Sequence, residues 1–211
     1  MANDARYIKT KGLISNIFAI ERKEERQNIS KWDDKGNKMM LWHGTKAENI
    51  IGILQSGFRI APDESFRTGS ILGNGVYFAD TFGKSLNYTQ SYWSGKYKTN
   101  HPKLYLFLCE VALGKMKEIT DIYSVEEKHF ANIPGKQFQS VKGVGQKGPD
   151  LAKSIYLPSG CVVPLGPVVE YKYDKKSQEK VHLGTNEYVV YDTSQIRIKY
   201  VVEIKDTRFN N

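Results

Sequence analysis

Apolar and polar residues alternate most regularly near the C-terminal end, where Ile196, Ile198, Tyr200, Val202 and Ile204 are interleaved with Arg197, Lys199, Val201, Glu203 and Lys205. A period of two puts the first set on one face, so a half-buried strand with one polar face is expected. Residues 104–113 are nearly all apolar between Pro102 and Gly114, which predicts a strand buried on both faces and central in its sheet. Shorter apolar runs at 12–21, 39–42 and 76–79 read as further strands. Helical spacing appears at Ile50, Ile51, Leu54 and Phe58, after Thr45-Lys46-Ala47-Glu48 and before Gly57. That order predicts a helix with a capping box, Thr45 as its N-cap and Gly57 as its stop.

Residues 23–31 are charged and read as a short surface helix closed by the turn Asp33-Asp34-Lys35-Gly36. A second short helix is expected from Lys84 to about Tyr92, capped by Asp80 or Thr81, with Ser85 and Tyr88 on one face. Residues 61–72 are loop-like and border a pocket in this reading. Residues 121–132 fit either element, and the Gly- and Lys-rich residues 135–150 read as loop or short hairpin. Pro164 and Pro167 restrict 162–169 to an edge or irregular strand, and 171–181 reads as a protruding, charged hairpin. The chain thus has many strands and few helices, with no repeat, low-complexity tract or dividing linker. It reads as one domain over 1–211, with a strand and helix extension at 1–38.

Composition changes this picture little. Of 211 residues, 40% are hydrophobic and 26% charged, which is ordinary globular usage and enough for a core without disulfides. Cys109 lies inside the most apolar run, so Cys109 and Cys161 are expected to be free buried thiols. The start is not that of a secretory leader, and no stretch approaches the ~18 apolar residues of a membrane span. An intracellular protein, nuclear or cytoplasmic and without a membrane partner, is expected. The net charge of +8 invites a polyanion such as nucleic acid. Lys84, Lys96, Lys98 and Lys103 alternate with Tyr88, Tyr92, Trp93 and Tyr97, with no acidic residue from 84 to 109. Single-stranded nucleic-acid grooves have this composition, and so do solvated loops over core aromatics.

Several chemistries find no motif. There is no G-x-x-x-x-G-K-[ST], no G-x-G-x-x-G opening a helix and no G-x-S-x-G; Gly73-Asn74-Gly75 leads into a strand instead. His43, His101, His129 and His182 are scattered and the cysteines lack a C-x-x-C spacing, so no metal is expected.

What remains is a series of short segments: His43-Gly44-Thr45, Gly75-Val76-Tyr77-Phe78-Ala79-Asp80, Lys84-Ser85 with Tyr88, and Asn186-Glu187-Tyr188. These resemble the catalytic, ADP-ribosyltransferase domain of the poly(ADP-ribose) polymerase family, whose triad is histidine, tyrosine and glutamate. The similarity runs from about residue 12 to 204. It passes through Ile17-Phe18-Ala19-Ile20-Glu21-Arg22, Gly57-Phe58-Arg59-Ile60-Ala61-Pro62, Glu110-Val111-Ala112-Leu113-Gly114, Ser140-Val141-Lys142-Gly143 and Val163-Pro164-Leu165-Gly166. The resemblance implies an α+β domain of two packed, mostly antiparallel sheets with short helices. It also implies NAD as co-substrate, nicotinamide as leaving group and protein acceptors, the chain itself included.

By the same resemblance His43, Tyr77 and Glu187 are the catalytic set. Tyr77 and Tyr88 would flank the cationic nicotinamide ring, and the Gly44 backbone and the Ser85 hydroxyl would hold its carboxamide. Glu187 would hold the ribose 2-hydroxyl and stabilise the oxocarbenium-like transition state. His43 would position the far ribose, with Thr45, Asn49 and Arg59 near the adenosine half. Ala61, Phe78 and Lys84 complete the implied NAD-contacting set. On local grounds alone Thr45 reads equally as a cap or a ligand contact, Tyr77 as core and Glu187 as a solvent-facing residue.

The sequence also departs from the family pattern. The residues before His43 are too few for the helical regulatory subdomain of larger members, so a pocket open to NAD is expected. Ser70 stands where the best-known members have tyrosine. The segment from 166 to 186 is longer than usual and carries Lys172, Lys175, Lys176 and Lys180 on the acceptor side. The retained Glu187 favours chain elongation over single transfer. A mono-transferase, a non-catalytic NAD or ADP-ribose binder and a basic nucleic-acid module are the alternatives.

Overall fold

Residues 14–60, 71–89, 103–123 and 138–205 are described by the computed structural model of the chain, and strands dominate them. In chain order the elements begin with β1 (Ile14–Ala19), α1 (Lys23–Ser30), β2 (Lys38–Gly44), α2 (Ala47–Ser56), β3 (Val76–Phe78) and α3 (Phe82–Leu86). They continue with β4 (Lys103–Ala112), β5 (Met116–Ile119), β6 (Ser140–Gly143), β7 (Gly145–Pro149), β8 (Ile155–Tyr156), β9 (Cys161–Val163) and β10 (Val168–Glu170). The last are α4 (Lys175–Gln178), β11 (Leu183–Thr185), β12 (Glu187–Val190) and β13 (Ile196–Lys205). The expected α+β arrangement is found. Among the described residues the strands form a six-stranded sheet β1-β13-β4-β2-β9-β8, a four-stranded sheet β3-β12-β6-β5 and a three-stranded sheet β10-β7-β11. Among the described residues the β2–β9, β5–β6 and β7–β11 pairs are parallel and the other strand pairs antiparallel.

The main core fills the space between the two larger sheets. Leu41, Phe107, Cys109, Val111 and Ile198 meet Val76, Phe78, Tyr188 and Val190 there, and Ile50 of α2 closes one side. The other face of the six-stranded sheet buries Trp42, Leu104, Leu106, Val202 and Ile204 under Phe82 of α3. As expected, β4 is central and covered on both faces, and both cysteines are free and buried.

Three expectations fail for identifiable reasons. The C-terminal strand does not keep one face: its register against β4 shifts between Ile198 and Tyr200. A bulge adds one residue and so reverses the alternation beyond it. Ile196, Ile198 and Val201 enter the inter-sheet core, while Tyr200, Val202 and Ile204 face α3. The described part of 135–150, residues 138–150, does not form a hairpin, because β6 and β7, with Val144 between them, join different sheets. Residues 171–181 contain the short helix α4, capped by Asp174 accepting from Ser177 N–H at 2.9 Å, in place of paired strands.

Helix α1 secures both the bulge and the helix beside the cleft described below. Glu25 accepts from the Ile198 N–H at 2.8 Å at the bulge and pairs with Arg22 at 3.0 Å. Burial raises the Glu25 carboxyl above its ordinary pKa, against that backbone bond and the nearby Arg22. The Arg22 guanidinium donates to the Leu54 carbonyl at the C-terminal end of α2, where orphan carbonyls favour a cation. Arg22→Ala should therefore cost about 2–3 kcal/mol, the range for a charged hydrogen bond lost beside a now unpaired carboxylate. Thermal unfolding checks this, with an expected drop of roughly 5–10 °C for a domain of this size.

Candidate active site

β2 ends in His43 and Gly44, at the rim of a cleft of about 700 Å³. His43 leaves the sheet between the rings of Phe58, Phe78 and Phe107, with centroids 4.7, 5.6 and 6.4 Å away. Its Nδ1 lies 2.7 Å from the Tyr77 carbonyl. A carbonyl only accepts, so Nδ1 carries the proton and Nε2 is left as an acceptor. Burial draws the imidazole pKa down to about 4 despite the Tyr77 bond. At neutral pH the ring is uncharged, suited to accepting a hydroxyl proton donor and to positioning rather than proton transfer.

Gly44 is glycine because of the wall behind it. A Cβ there would lie 1.7 Å from the Ser85 carbonyl oxygen and 2.7 Å from its carbon. Trp42, two residues earlier, exchanges both backbone bonds with Ala79 at 2.8 and 2.9 Å, so its polar groups point away from β4. Strand alternation gives the Gly44 N–H and carbonyl the same direction, along the cleft edge. One donor and one acceptor side by side match a primary carboxamide. Ser85, 3% exposed, donates its hydroxyl to the Trp42 carbonyl at 3.1 Å, which leaves its oxygen as an acceptor.

The capping box is not formed. β2 stays extended through Gly44, and Lys46 takes the cap position with φ −64 and ψ 149 and no side-chain cap bond. The helix thus starts at Ala47, one residue too late for Thr45 to reach its N–H groups. The Thr45 hydroxyl instead accepts from the Asn49 amide at 2.9 Å. Thr45, Asn49, Gly52 and Ser56 form one cleft wall along α2, with Gly57 at φ 76 stopping the helix as expected and Arg59 just beyond.

β3 and β12 form the opposite wall. Tyr77 pairs with Val189, and its hydroxyl donates to the Gly73 carbonyl at 2.7 Å and accepts from the Leu72 N–H at 2.9 Å. Burial raises the phenol well above its ordinary pKa, so it stays neutral and its ring is fixed. Glu187, 7% exposed, projects from the start of β12 and ion-pairs with Lys84 of α3. Burial works to lower the Lys84 pKa, but the Glu187 carboxylate outweighs it and the net shift is upward. The Lys84 ammonium also lies 5.7 Å from the centre of the Tyr88 ring, which is 44% exposed at the rim.

The cleft gathers His43, Gly44, Thr45, Asn49, Arg59, Tyr77, Phe78, Lys84, Ser85, Tyr88 and Glu187. Phe78 does so from within the core, at 3% exposure. Ala61 and Ser70 lie outside the described residues, as do Lys96, Lys98, Tyr92, Trp93 and Tyr97. Among the described residues no group of three or more possible metal ligands occurs, and no helix is long and apolar enough to cross a membrane. Gly52 and Asn74 line the cleft without having been singled out by any motif.

Asp80 or Thr81 was expected to cap this helix; Thr81 takes the cap position of α3, without a side-chain bond. The Asp80 carboxylate, 4% exposed, turns the other way. Its Oδ2 accepts from the Asn186 amide at 2.7 Å and from the Tyr188 hydroxyl at 3.0 Å. Burial raises the Asp80 pKa to about 6, against the lowering effect of those two bonds. A carboxyl raised from 3.8 to about 6 on folding is bound to a proton more readily in the folded state, so its ionisation costs stability as pH rises through that window. The cost at neutral pH is about 3 kcal/mol. Asp80→Asn should be more stable than wild type at pH 7.5 by up to that amount. The gain should shrink between pH 6 and 4, which urea denaturation across that range measures. His43, depressed to about 4, acts with the opposite sign over much of the same window, but equally in both proteins.

The groups along this cleft fit NAD: a carboxamide-sized donor and acceptor pair at Gly44, an aromatic ring at Tyr77, a buried carboxylate at Glu187 and a neutral imidazole at His43. Comparison with known proteins agrees with that fit. The family model for the poly(ADP-ribose) polymerase catalytic domain matches residues 3–206. The chain is 40% identical over 192 residues to poly [ADP-ribose] polymerase 2 of Arabidopsis thaliana, covering 91% of this chain and 28% of that protein. It is 39% identical over 197 residues to poly [ADP-ribose] polymerase 1 of Danio rerio, covering 93% of this chain and 17% of that one. For its counterpart in Caenorhabditis elegans the figures are 38% over 170 residues, 81% and 17%. The chain therefore spans well under a third of the length of these relatives. With a match over nearly its whole length, the chain belongs to the poly(ADP-ribose) polymerase catalytic-domain family.

Proposed function

We propose that this chain is an NAD-dependent ADP-ribosyltransferase that releases nicotinamide and transfers ADP-ribose to protein acceptors, itself among them, with Glu187, His43 and Tyr77 as its catalytic set. The observation that carries the reading is the meeting of three separate strands, at His43-Gly44, Tyr77 and Glu187, in one cleft. NAD supplies the activated glycosidic bond. The chain's own residues do the rest. The Gly44 backbone and the Ser85 oxygen orient the carboxamide, and the Tyr77 and Tyr88 rings favour the cationic base by about 1–2 kcal/mol. His43 Nε2 accepts from the distant ribose, with Thr45, Asn49 and Arg59 along the adenosine wall. The Glu187 carboxylate holds the ribose 2-hydroxyl and stabilises charge that develops only as the bond breaks.

Chain elongation is part of the proposal, since Glu187 can also polarise an incoming ribose hydroxyl. The exposed Lys172, Lys175, Lys176 and Lys180 offer a basic surface to a polyanion, whether nucleic acid or polymer. We assign the chain to one catalytic domain over 1–211, acting in the nucleus or cytoplasm. Incubation with labelled NAD tests the reading. Nicotinamide release with label on protein is expected, resolved on a gel as a ladder for polymer or a single shift for mono transfer. Saturable NAD binding without turnover overturns it in favour of a binder.

A further inference from the structure

β3 changes partners where the cleft opens. Its last ladder pair with β12 is Phe78 with Tyr188. At the next residue, Ala79, both backbone bonds go to Trp42 of β2 instead. The position facing Ala79 in the continued register is Glu187. The catalytic carboxylate therefore sits on the one stretch of β12 from which β3 has just departed, and backbone pairing on that side no longer holds it.

Side chains take over there. Continuing the Phe78–Tyr188 register by two residues brings Asp80 opposite Asn186, and these are the groups that bond at 2.7 Å, with Tyr188 adding its hydroxyl at 3.0 Å. Asn186 and Tyr188 flank Glu187, and both turn to Asp80, so strand alternation sends Glu187 to the other face. Asn186 has further bonds: its side-chain carbonyl accepts from the Gly145 N–H at 2.9 Å and its amide also donates to the Tyr171 hydroxyl at 3.2 Å. On its chain side, Asp80 directly precedes Thr81, the cap residue of α3, which carries Lys84 and Ser85. One carboxylate thus ties, from behind, the two elements whose side chains pair across the cleft as Lys84 and Glu187.

We propose that Asp80 is a positioning residue, which by accepting from both Asn186 and Tyr188 continues the β3–β12 pairing past Phe78 and fixes the Glu187 carboxylate against Lys84. This rests on the assignment of Glu187 above. It accounts for a buried acid that caps no helix and contacts no cleft ligand position. A displacement of about 1 Å at a reacting group is enough to cost about a hundredfold in rate, so a hydrogen-bonded tie of this kind acts on turnover more than on NAD affinity.

The test compares wild type, Asp80→Ala, Asp80→Asn and Tyr188→Phe by two independent readings. The first is NAD turnover, followed as nicotinamide release, together with the affinity for benzamide as a probe of the carboxamide site. Asp80→Ala should lower kcat at least about thirtyfold with KM for NAD and benzamide affinity within threefold. Asp80→Asn, which keeps an acceptor oxygen, should stay within about threefold of wild type, and Tyr188→Phe should fall between. The second reading needs no activity: NMR titration of the Lys84 ammonium, whose raised pKa depends on the Glu187 carboxylate nearby. It should fall in Asp80→Ala, where burial is no longer outweighed, and hold in Asp80→Asn.

Unchanged kcat in Asp80→Ala, or a loss matched by the fall in benzamide affinity, overturns the proposal. If Asp80→Ala does not fold, Tyr188→Phe decides it by the same two readings. If wild type releases no nicotinamide, the transferase reading fails, and the Lys84 titration alone decides the positioning role, a constant value in Asp80→Ala or Tyr188→Phe overturning it.

Discussion

Glu187→Gln should reduce nicotinamide release by about 10²–10³-fold while leaving KM for NAD within a few-fold, because the amide keeps the shape and loses the charge. Glu187 is nearly buried and its only charged partner among the described contacts is Lys84. In the proposed reaction positive charge appears on the ribose as nicotinamide leaves, and a fixed carboxylate in a partly dry wall stabilises it without reorganising. The substitution also removes what offsets burial at Lys84, whose pKa should drop below its present raised position. Steady-state kinetics and product sizing check the prediction: residual turnover without a ladder is the expected outcome. Wild-type rates in Glu187→Gln would sink the catalytic assignment.

Gly44→Ala is the second large effect, and it acts through packing. The added Cβ would lie 1.7 Å from the Ser85 carbonyl oxygen, a backbone atom that no rotamer change can move aside. β2 and α3 must separate, which strains the Ser85–Trp42 hydrogen bond and the core beneath Phe82. Overpacking of this kind costs about 3 kcal/mol or more. It also misaligns the Gly44 N–H and carbonyl with the Ser85 oxygen. Losing two carboxamide bonds of about 1 kcal/mol each predicts roughly thirtyfold weaker benzamide binding in whatever protein folds. Thermal unfolding and benzamide titration measure the two consequences separately. Undiminished binding together with a wild-type midpoint would contradict this account of the wall.

Asp80 and Arg22 show a different side of the same fold, in which buried charge holds elements in place around the cleft. The two act with opposite sign on stability. Arg22 stabilises by satisfying the end of α2 and the Glu25 carboxylate. Asp80 is ionised at a cost at neutral pH, and Asp80→Asn is expected to be the more stable protein. At Asp80 the acceptor oxygen, which asparagine keeps, ties the two sides of the cleft, while the charge, which asparagine removes, costs stability.

The local pattern of the chain determined the elements with strong periodicity. The apolar run that became β4 could only be buried on both faces, and the helical spacing of Ile50, Leu54 and Phe58 with Gly57 behind it could only be α2. The short motifs also named the residues that line the cleft, because glycine, serine, tyrosine and glutamate in those segments carry a chemistry that resemblance makes readable. What the sequence alone did not determine were features set by distant partners. Thr45 has the letters of a cap, but pairing of β2 with β4 through Gly44 keeps the chain extended past it. The bulge at Ile198 reverses the facing of β13 because Glu25, 173 residues away, takes the backbone N–H there. Close approach of a ligand was the reason expected for glycine at 44, and the packed structure adds a second one, since the space a Cβ would take is filled by the Ser85 backbone. Asp80 read, with Thr81, as a candidate helix cap, while its actual partners lie 106 and 108 residues further along the chain. Periodicity and capping are properties of neighbours within a few residues. Register, bulges and buried carboxylate pairs depend on which strands meet, and that is decided only when the sheets pack.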